Sequence, residues 1–147
     1  MKNVEIEVFK SNDAAKFSKA RFIRTVVFIV EQKVAETEEF DEFEQDCVHY
    51  LINVDDKSIG TARWRLINDK VKLERFAILE QYRGKKYGDL LLKKVIEDAS
   101  KENKVLYLHA QLKAIPFYER RGFQKVGDLF VECEIEHYKM VRGGITN

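Results

Sequence analysis

The stretch QYRGKKYGDLL, residues 81–91, stands between an apolar run and a strongly helical segment. It holds Gly84 and Gly88 together with basic Arg83, Lys85 and Lys86. A strand that feeds a glycine-containing turn and then opens a helix aims several backbone N–H groups at one point. The helix dipole adds partial positive charge there. The two glycines let backbone approach a ligand closely. The stretch can therefore cradle a pyrophosphate, and it can equally be a solvated basic turn ahead of an amphipathic helix. Lys86 stands where a phosphate loop usually keeps a small residue, so these residues alone leave both readings open.

Periodicity organises the chain on either side. Downstream, GDLLLKKVIEDASKEN places Leu91, Leu92, Val95, Ile96 and Ala99 on one helical face. KVLYLHAQ, residues 104–111, is apolar enough for a central strand. AIPFYERRGF, residues 114–123, predicts a short helix with Pro116 in its first turn and Gly122 at its stop. LFVECEIEHYKM, residues 129–140, alternates as a last strand. Upstream, VEIEVF alternates as a half-buried strand, and SND offers caps for a helix carrying Ala14, Phe17, Phe22 and Val26 that VVFIV ends or bends. Residues 36–46, ETEEFDEFEQD, are mostly acidic without a period and read as an exposed loop. CVHYLINV, IGTARWRLI and KVKLERFAIL then form an antiparallel meander, with turns at DDKS and at Asn68-Asp69. The order is β, α, a three-strand meander, α, β, α, β. Helices must cover both faces of one mixed sheet, a three-layer α/β arrangement.

Composition narrows the function classes. A chain of 147 residues suits one domain spanning 1–147. With 26 Lys and Arg against 25 Asp and Glu, the net charge of +1 gives no case for nucleic acid or an anionic membrane as partner. No apolar stretch approaches a membrane span, and MKNVEIEVFK lacks a signal-peptide core, so a cytoplasmic location is expected. Cys47 and Cys133 are far apart, without CxxC or a Cys/His cluster, and read as reduced thiols with no metal role.

The ordered motifs carry a resemblance. Residues 83–88, RGKKYG, match a phosphate motif R-x-x-x-x-G in which Lys86 replaces the usual glycine. AIPFYERRGF follows at the right separation. VFIVEQ at 27–32, D-x-x-H at 46–49, AQ at 110–111 and E-x-E-I-x-H-x-x-M at 132–140 complete the set. Together they resemble the GNAT superfamily of N-acetyltransferases, on its ElaA-like branch and similar to glyphosate-type acetyltransferases, over almost the whole chain. The resemblance implies a mixed, mostly antiparallel sheet of six to seven strands whose fourth and fifth strands splay apart, with about four helices. It implies acetyl-CoA as cosubstrate, no metal, and acetyl transfer to a small-molecule amine by direct attack in a ternary complex. A protein or peptide amine as acceptor and a non-catalytic acyl-CoA sensor are the alternatives. A monomer or homodimer is expected.

The resemblance also implies roles. Phe76, Ala77 and Ile78 would pair with the pantetheine arm, and the amides of Arg83, Gly84, Lys85, Lys86, Tyr87, Gly88 and Asp89 would hold the pyrophosphate. Phe117 would pack on the cofactor. Tyr118 matches the acid toward the departing sulfur. His137 matches a general base, with Glu74 as rival and His49 and His109 read as structural. Arg24, Arg75 and Gln111 fall at substrate-contacting positions, where arginines would grip an acidic acceptor. The acidic loop at 36–46 would instead draw in a cationic amine, so the sequence leaves the sign of the acceptor open.

Overall fold

The computed structural model describes residues 2–143, so Met1 and residues 144–147 of the expected domain lie outside the described residues. The chain runs β1 (Val4–Phe9), α1 (Ala14–Arg24), α2 (Glu36–Glu39), then β2 (Val48–Val54), β3 (Lys57–Ile67) and β4 (Lys70–Ile78). It continues through α3 (Tyr87–Ser100), β5 (Val105–Gln111), α4 (Ile115–Glu119), β6 (Gln124–Glu132) and β7 (Ile135–Arg142). The strands form one seven-stranded sheet in the order β1-β2-β3-β4-β5-β7-β6, antiparallel except for β4 with β5.

Local chemistry explains most boundaries. The Asp13 carboxylate caps α1 by accepting from the Lys16 amide at 3.3 Å. VVFIV does not end this helix. It widens into π-helical turns over Thr25–Glu31. The buried face of that helix is Ala20, Ile23, Arg24 and Val27, with Phe22 exposed, so the expected apolar positions are one step out of phase. The expected final strand is a hairpin, β6 and β7, because Cys133 and Glu134 both take left-handed φ (52° and 63°). Neither is glycine or asparagine, so the turn left no ordinary signature. Asp55 and Asp56 turn β2 into β3 in the same way.

α3 and α4 cover one sheet face. There Leu91, Leu92, Val95 and Ala99 are fully buried against Tyr50, Ile52, Val71 and Leu106. α1 covers the other, packing Ile23 and Val27 on Leu51 and Ala77. Between β3 and β4 the register slips by one residue: Arg63 faces Glu74, but Thr61 faces Ala77. Arg75 and Phe76 thus oppose the single residue Ala62, a β-bulge, and Arg75 sits at φ 61°. The bulge inverts the alternation, so Leu73, Phe76 and Ile78 all face the α3 side. On its other edge, β4 pairs with β5 only through Lys70, Val71 and Lys72. Beyond Lys72 the two strands part, as expected for the fourth and fifth strands.

The acidic segment 36–46 is not an exposed loop. It folds as α2 and a 3-10 turn at Glu44–Asp46 around two arginines that are 1% and 0% exposed, Arg24 and Arg63. Arg24 donates through Nε to Glu39 Oε2 at 2.8 Å and through Nη2 to Glu44 Oε2 at 2.9 Å. Arg63 donates to both oxygens of Asp41 at 3.1 and 2.8 Å and reaches Glu44 and Glu74 at 2.9 and 3.0 Å. Removing one member of a buried ionic cluster strands the others, which costs about 3–5 kcal/mol. Arg63→Met should therefore lower unfolding free energy by about 3–5 kcal/mol in urea titration. A loss under about 1 kcal/mol would mean the carboxylates find water instead.

Candidate active site

Two cavities open where β4 and β5 separate. The first, of about 660 Å³, lies between β4 and the start of α3 and is lined by Phe76, Ala77, Ile78 and Phe117. The second, of about 530 Å³, lies beneath the 28–41 segment and is lined by Phe28, Gln32, Arg75, Gln111 and His137. Phe76, Ala114 and Tyr118 line both.

The turn after β4 explains the first cavity. Gly84 and Lys86 both adopt left-handed φ (76° and 70°), and Lys86 is the N-cap of α3. The amides of Gly84, Lys85 and Lys86 have no acceptor among the described residues, and Tyr87, Gly88 and Asp89 form the helix's first turn, whose amides lack helical partners. Of these residues, Gly84, Lys86, Tyr87, Gly88 and Asp89 line the cavity, so five N–H groups are free for an anion there.

Two expected cofactor contacts change, at Arg83 and Lys85, while Tyr87 keeps its backbone at the cavity. Arg83 does not offer its amide, which donates to the Glu80 carbonyl at 3.1 Å. Its side chain donates to the Ile78 carbonyl at 2.8 Å and pairs with Glu31 at 2.9 Å, fastening the turn to the end of β4. The Tyr87 side chain is buried in the core beside Tyr82, so only its backbone faces the cavity. Lys85 is exposed and does not line the cavity, whereas Lys86 does.

Tyr118 packs edge-on to Phe76, Phe117 and Phe123 and lines both cavities. Burial pushes its phenol well above its ordinary pKa, so it stays protonated. His137 is 7% exposed and stacks on Phe130. Its Nδ1 lies 2.7 Å from the Ile135 carbonyl. A carbonyl only accepts, so Nδ1 carries the proton and Nε2 keeps a lone pair with no partner among the described residues.

Glu74 is corrected as a candidate base. Arg63, Arg65 and Lys72 surround it at 3.0, 2.9 and 3.2 Å. Burial would raise its pKa, but those charges outweigh burial and hold it at about 2. Such a carboxylate takes up no proton near neutral pH. Arg24 is corrected as a substrate contact, since its guanidinium is sealed against Glu39 and Glu44. Arg75 does line the second cavity but is held by Glu39 and Asp41 at 3.2 and 3.3 Å. Gln111 donates to Gln32 at 2.8 Å, tying β5 to the segment above. His49 Nε2 donates to the Glu44 carbonyl at 2.9 Å as a structural group, and His109 lies 3.3 Å from Glu132 on the cavity wall. Sequence reasoning missed Arg65, Lys72, Glu132 and Gln32, all of which line the second cavity. The available signal was that R-W-R and K-L-E place charges on matching faces of paired strands.

No helix among the described residues is long and apolar enough to cross a membrane. Residues 10–142 match the family described as Acetyltransferase (GNAT) domain. The N-acetyltransferase YjcF of Bacillus subtilis is 32% identical over 126 residues, covering 84% of this chain and 89% of that protein. The crystal structure of Escherichia coli ElaA superposes with a TM-score of 0.86 at 27% identity, covering 95% of this chain and 99% of that one. The PaiA N-acetyltransferase of Thermoplasma acidophilum, solved in complex with coenzyme A, shares the fold with a TM-score of 0.68 at 16% identity, covering 95% of this chain and 98% of that one.

Two outcomes follow from this geometry. The carboxylates of Glu74 and Asp41 are both held down at about 2, from ordinary values of 4.5 and 3.8. Their contribution is complete above the unfolded values and is lost as pH falls toward 2. Glu39, which burial pushes upward against Arg75 and Arg24, works in the opposite sense. The urea midpoint should hold from neutral pH to about 5 and then fall toward pH 2, less steeply in Glu74→Gln. A midpoint that stays level to pH 2 contradicts the cluster. Separately, Lys86→Gly removes a left-handed side-chain penalty of about 1–2 kcal/mol and adds about 0.5–1 kcal/mol of unfolded-state entropy. Thermal unfolding should show a neutral or slightly stabilised variant, and a marked loss would mean that the Lys86 side chain holds the turn.

Proposed function

The chain belongs to the GNAT acetyltransferase family and is an N-acetyltransferase, and we propose that it moves the acetyl group of acetyl-CoA directly to the amine of a small molecule within a ternary complex. The observation that carries this reading is the meeting of the two cavities at Tyr118. Family members use acetyl-CoA as donor, and the first cavity fits it. A line of free amides from Gly84 to Asp89 suits a pyrophosphate. The unpaired edge of β4 from Phe76 to Ile78 suits an amide-bearing arm lying as a strand. The fold neighbour PaiA was solved with coenzyme A, which supports the same use of this cleft.

The donor supplies a thioester carbonyl and a thiolate leaving group. An N–H on the β4 edge is placed to polarise that carbonyl and hold the oxyanion. His137 Nε2 is suited to take the proton that the attacking amine sheds. As the C–N bond forms and the C–S bond breaks, the electron pair goes to sulfur. Tyr118 donates its hydroxyl hydrogen to that sulfur. Its raised pKa keeps it protonated at neutral pH but makes it a weaker acid than the thiol, whose ordinary pKa is near 8.5, so it acts first as a hydrogen-bond donor to the developing thiolate and full proton transfer runs uphill. Gln111 and Arg75 wall the acceptor side.

Tyr118→Phe should lower kcat by about 10²- to 10⁴-fold in an acetyl-CoA-dependent thiol-release assay, with acetyl-CoA affinity changed less than about threefold. His137→Gln should lower kcat in the same assay. A Tyr118→Phe protein with wild-type kcat would remove the acid role. Release of no CoA with any amine, from a folded protein that binds acetyl-CoA, would remove the transfer reading.

A further inference from the structure

We propose that His109, held by Glu132, is a further proton acceptor in the second cavity and takes the first proton from an amine that arrives there as an ammonium ion. This rests on the reading of the cavity as the acceptor side of an acetyl-transfer site. The proton count asks for two acceptors. An alkyl amine such as a lysine side chain has a pKa of about 10.4, so at neutral pH it is almost wholly an ammonium without a lone pair. It sheds one proton before it can attack and another as the C–N bond forms. In that reading His137 takes the second. It is poorly placed to take both. It is 7% exposed, and its Nδ1 is tied to the Ile135 carbonyl, which accepts a hydrogen bond but passes no proton on.

His109 is differently placed. It faces Lys139 across β5 and β7, as Gln111 faces His137, so both histidines lie on one face of the sheet, on neighbouring strands. Phe130 touches both rings, edge-on to His109 at 4.9 Å and stacked on His137 at 5.7 Å. His109 lines the same cavity as His137 and Tyr118. Its side chain is 25% exposed and that of Glu132 is 45% exposed, so this pair meets water far more freely than His137 does.

Glu132, at the end of β6, makes its one ion pair among the described residues with His109, its Oε2 lying 3.3 Å from Nδ1. The hydrogen bond from His109 is the largest influence on Glu132 and lowers its pKa, so the carboxylate is ionised and only accepts. Nδ1 therefore carries the hydrogen and Nε2 the lone pair. A carboxylate behind an imidazole holds that tautomer and stabilises the cation formed when Nε2 gains a proton. The cations nearest the ring are engaged elsewhere. The Lys139 ammonium lies 5.0 Å over the Tyr107 ring, and Lys72 on β4 is 3.2 Å from Glu74. The step balances. The ammonium N–H bond breaks, its electron pair stays on nitrogen, and the proton moves to His109 Nε2 and on to water. That pair then forms the C–N bond, the next proton goes to His137, and the C–S pair goes to sulfur. Of the two protons shed, one is balanced by the hydrogen that sulfur gains and one is released to solvent.

The test compares kcat/KM for ethylamine and 2,2,2-trifluoroethylamine at pH 7. The two are of similar size, but only the first is an ammonium at that pH. His109→Gln should lower kcat/KM for ethylamine by about 10²-fold and for trifluoroethylamine by less than about threefold. The ethylamine value of this variant should climb with pH more steeply than that of the wild type, as free amine becomes available. Glu132→Gln should show the same contrast with a smaller loss, because the imidazole remains. Equal losses for the two amines, or no loss for either, overturns the role of His109. A second readout does not need turnover: the ¹⁵N signals of the histidine rings in the CoA-bound protein. Ethylamine should shift the His109 Nε2 signal saturably. If that signal moves and neither amine is acetylated, the transfer reading fails and the His109 contact stands. If both amines are acetylated and the signal stays in place, the His109 role fails alone. A silent signal without acetylation removes both.

Discussion

One extra residue in β4 makes the site. The bulge at Arg75 and Phe76 places two residues of β4 against one of β3 and reverses which side chains face α3. A left-handed arginine is strained by about 1–2 kcal/mol, so surrounding structure must hold it there. It does so through Arg75 itself, whose guanidinium is fixed by Glu39 and Asp41. Past this point β4 has no strand partner on its β5 side, and the sheet opens into a cleft. The two cavities and the position of Tyr118 between them follow from that opening.

The ionic cluster around Arg24 and Arg63 is the counterpart of the bulge. Buried ion pairs add little net stability compared with apolar packing, because desolvation offsets attraction. Their effect is to fix one arrangement. Carboxylates at 39, 41 and 44 can only be buried where two arginines from α1 and β3 meet them. That requirement folds the 36–46 segment down onto the sheet, where Glu39 and Asp41 become part of the wall of the second cavity and anchors for Arg75. The same charges set the chemistry. They hold Glu74 ionised, while His137 lines the second cavity with its Nδ1 on the Ile135 carbonyl.

What was legible in the sequence was what obeys a period or a local turn rule. The α3 face of Leu91, Leu92, Val95, Ile96 and Ala99 is buried as read, and Pro116 and Gly122 bound α4. The parting of the fourth and fifth strands came from the family resemblance rather than from any period. The β6–β7 turn was hidden because Cys133 and Glu134 adopt a conformation usually left to Gly or Asn. The 36–46 segment was misread because burial of acidic residues depends on arginines remote in the chain. The same blindness made Arg24 look like a substrate grip. Lys86 occupies the left-handed cap position where glycine carries no penalty, which gives a physical meaning to the departure from the usual pattern.

The central claim is that this cleft binds acetyl-CoA along β4, with its pyrophosphate on the turn into α3. An amide NMR titration of the full chain with coenzyme A tests it most directly. The account predicts that the largest shifts fall on the amides of Gly84 to Asp89 and on Phe76 to Ile78, while those of the exposed β6 strand stay in place. Saturable binding with its largest shifts elsewhere, or no shift at either segment, would contradict it.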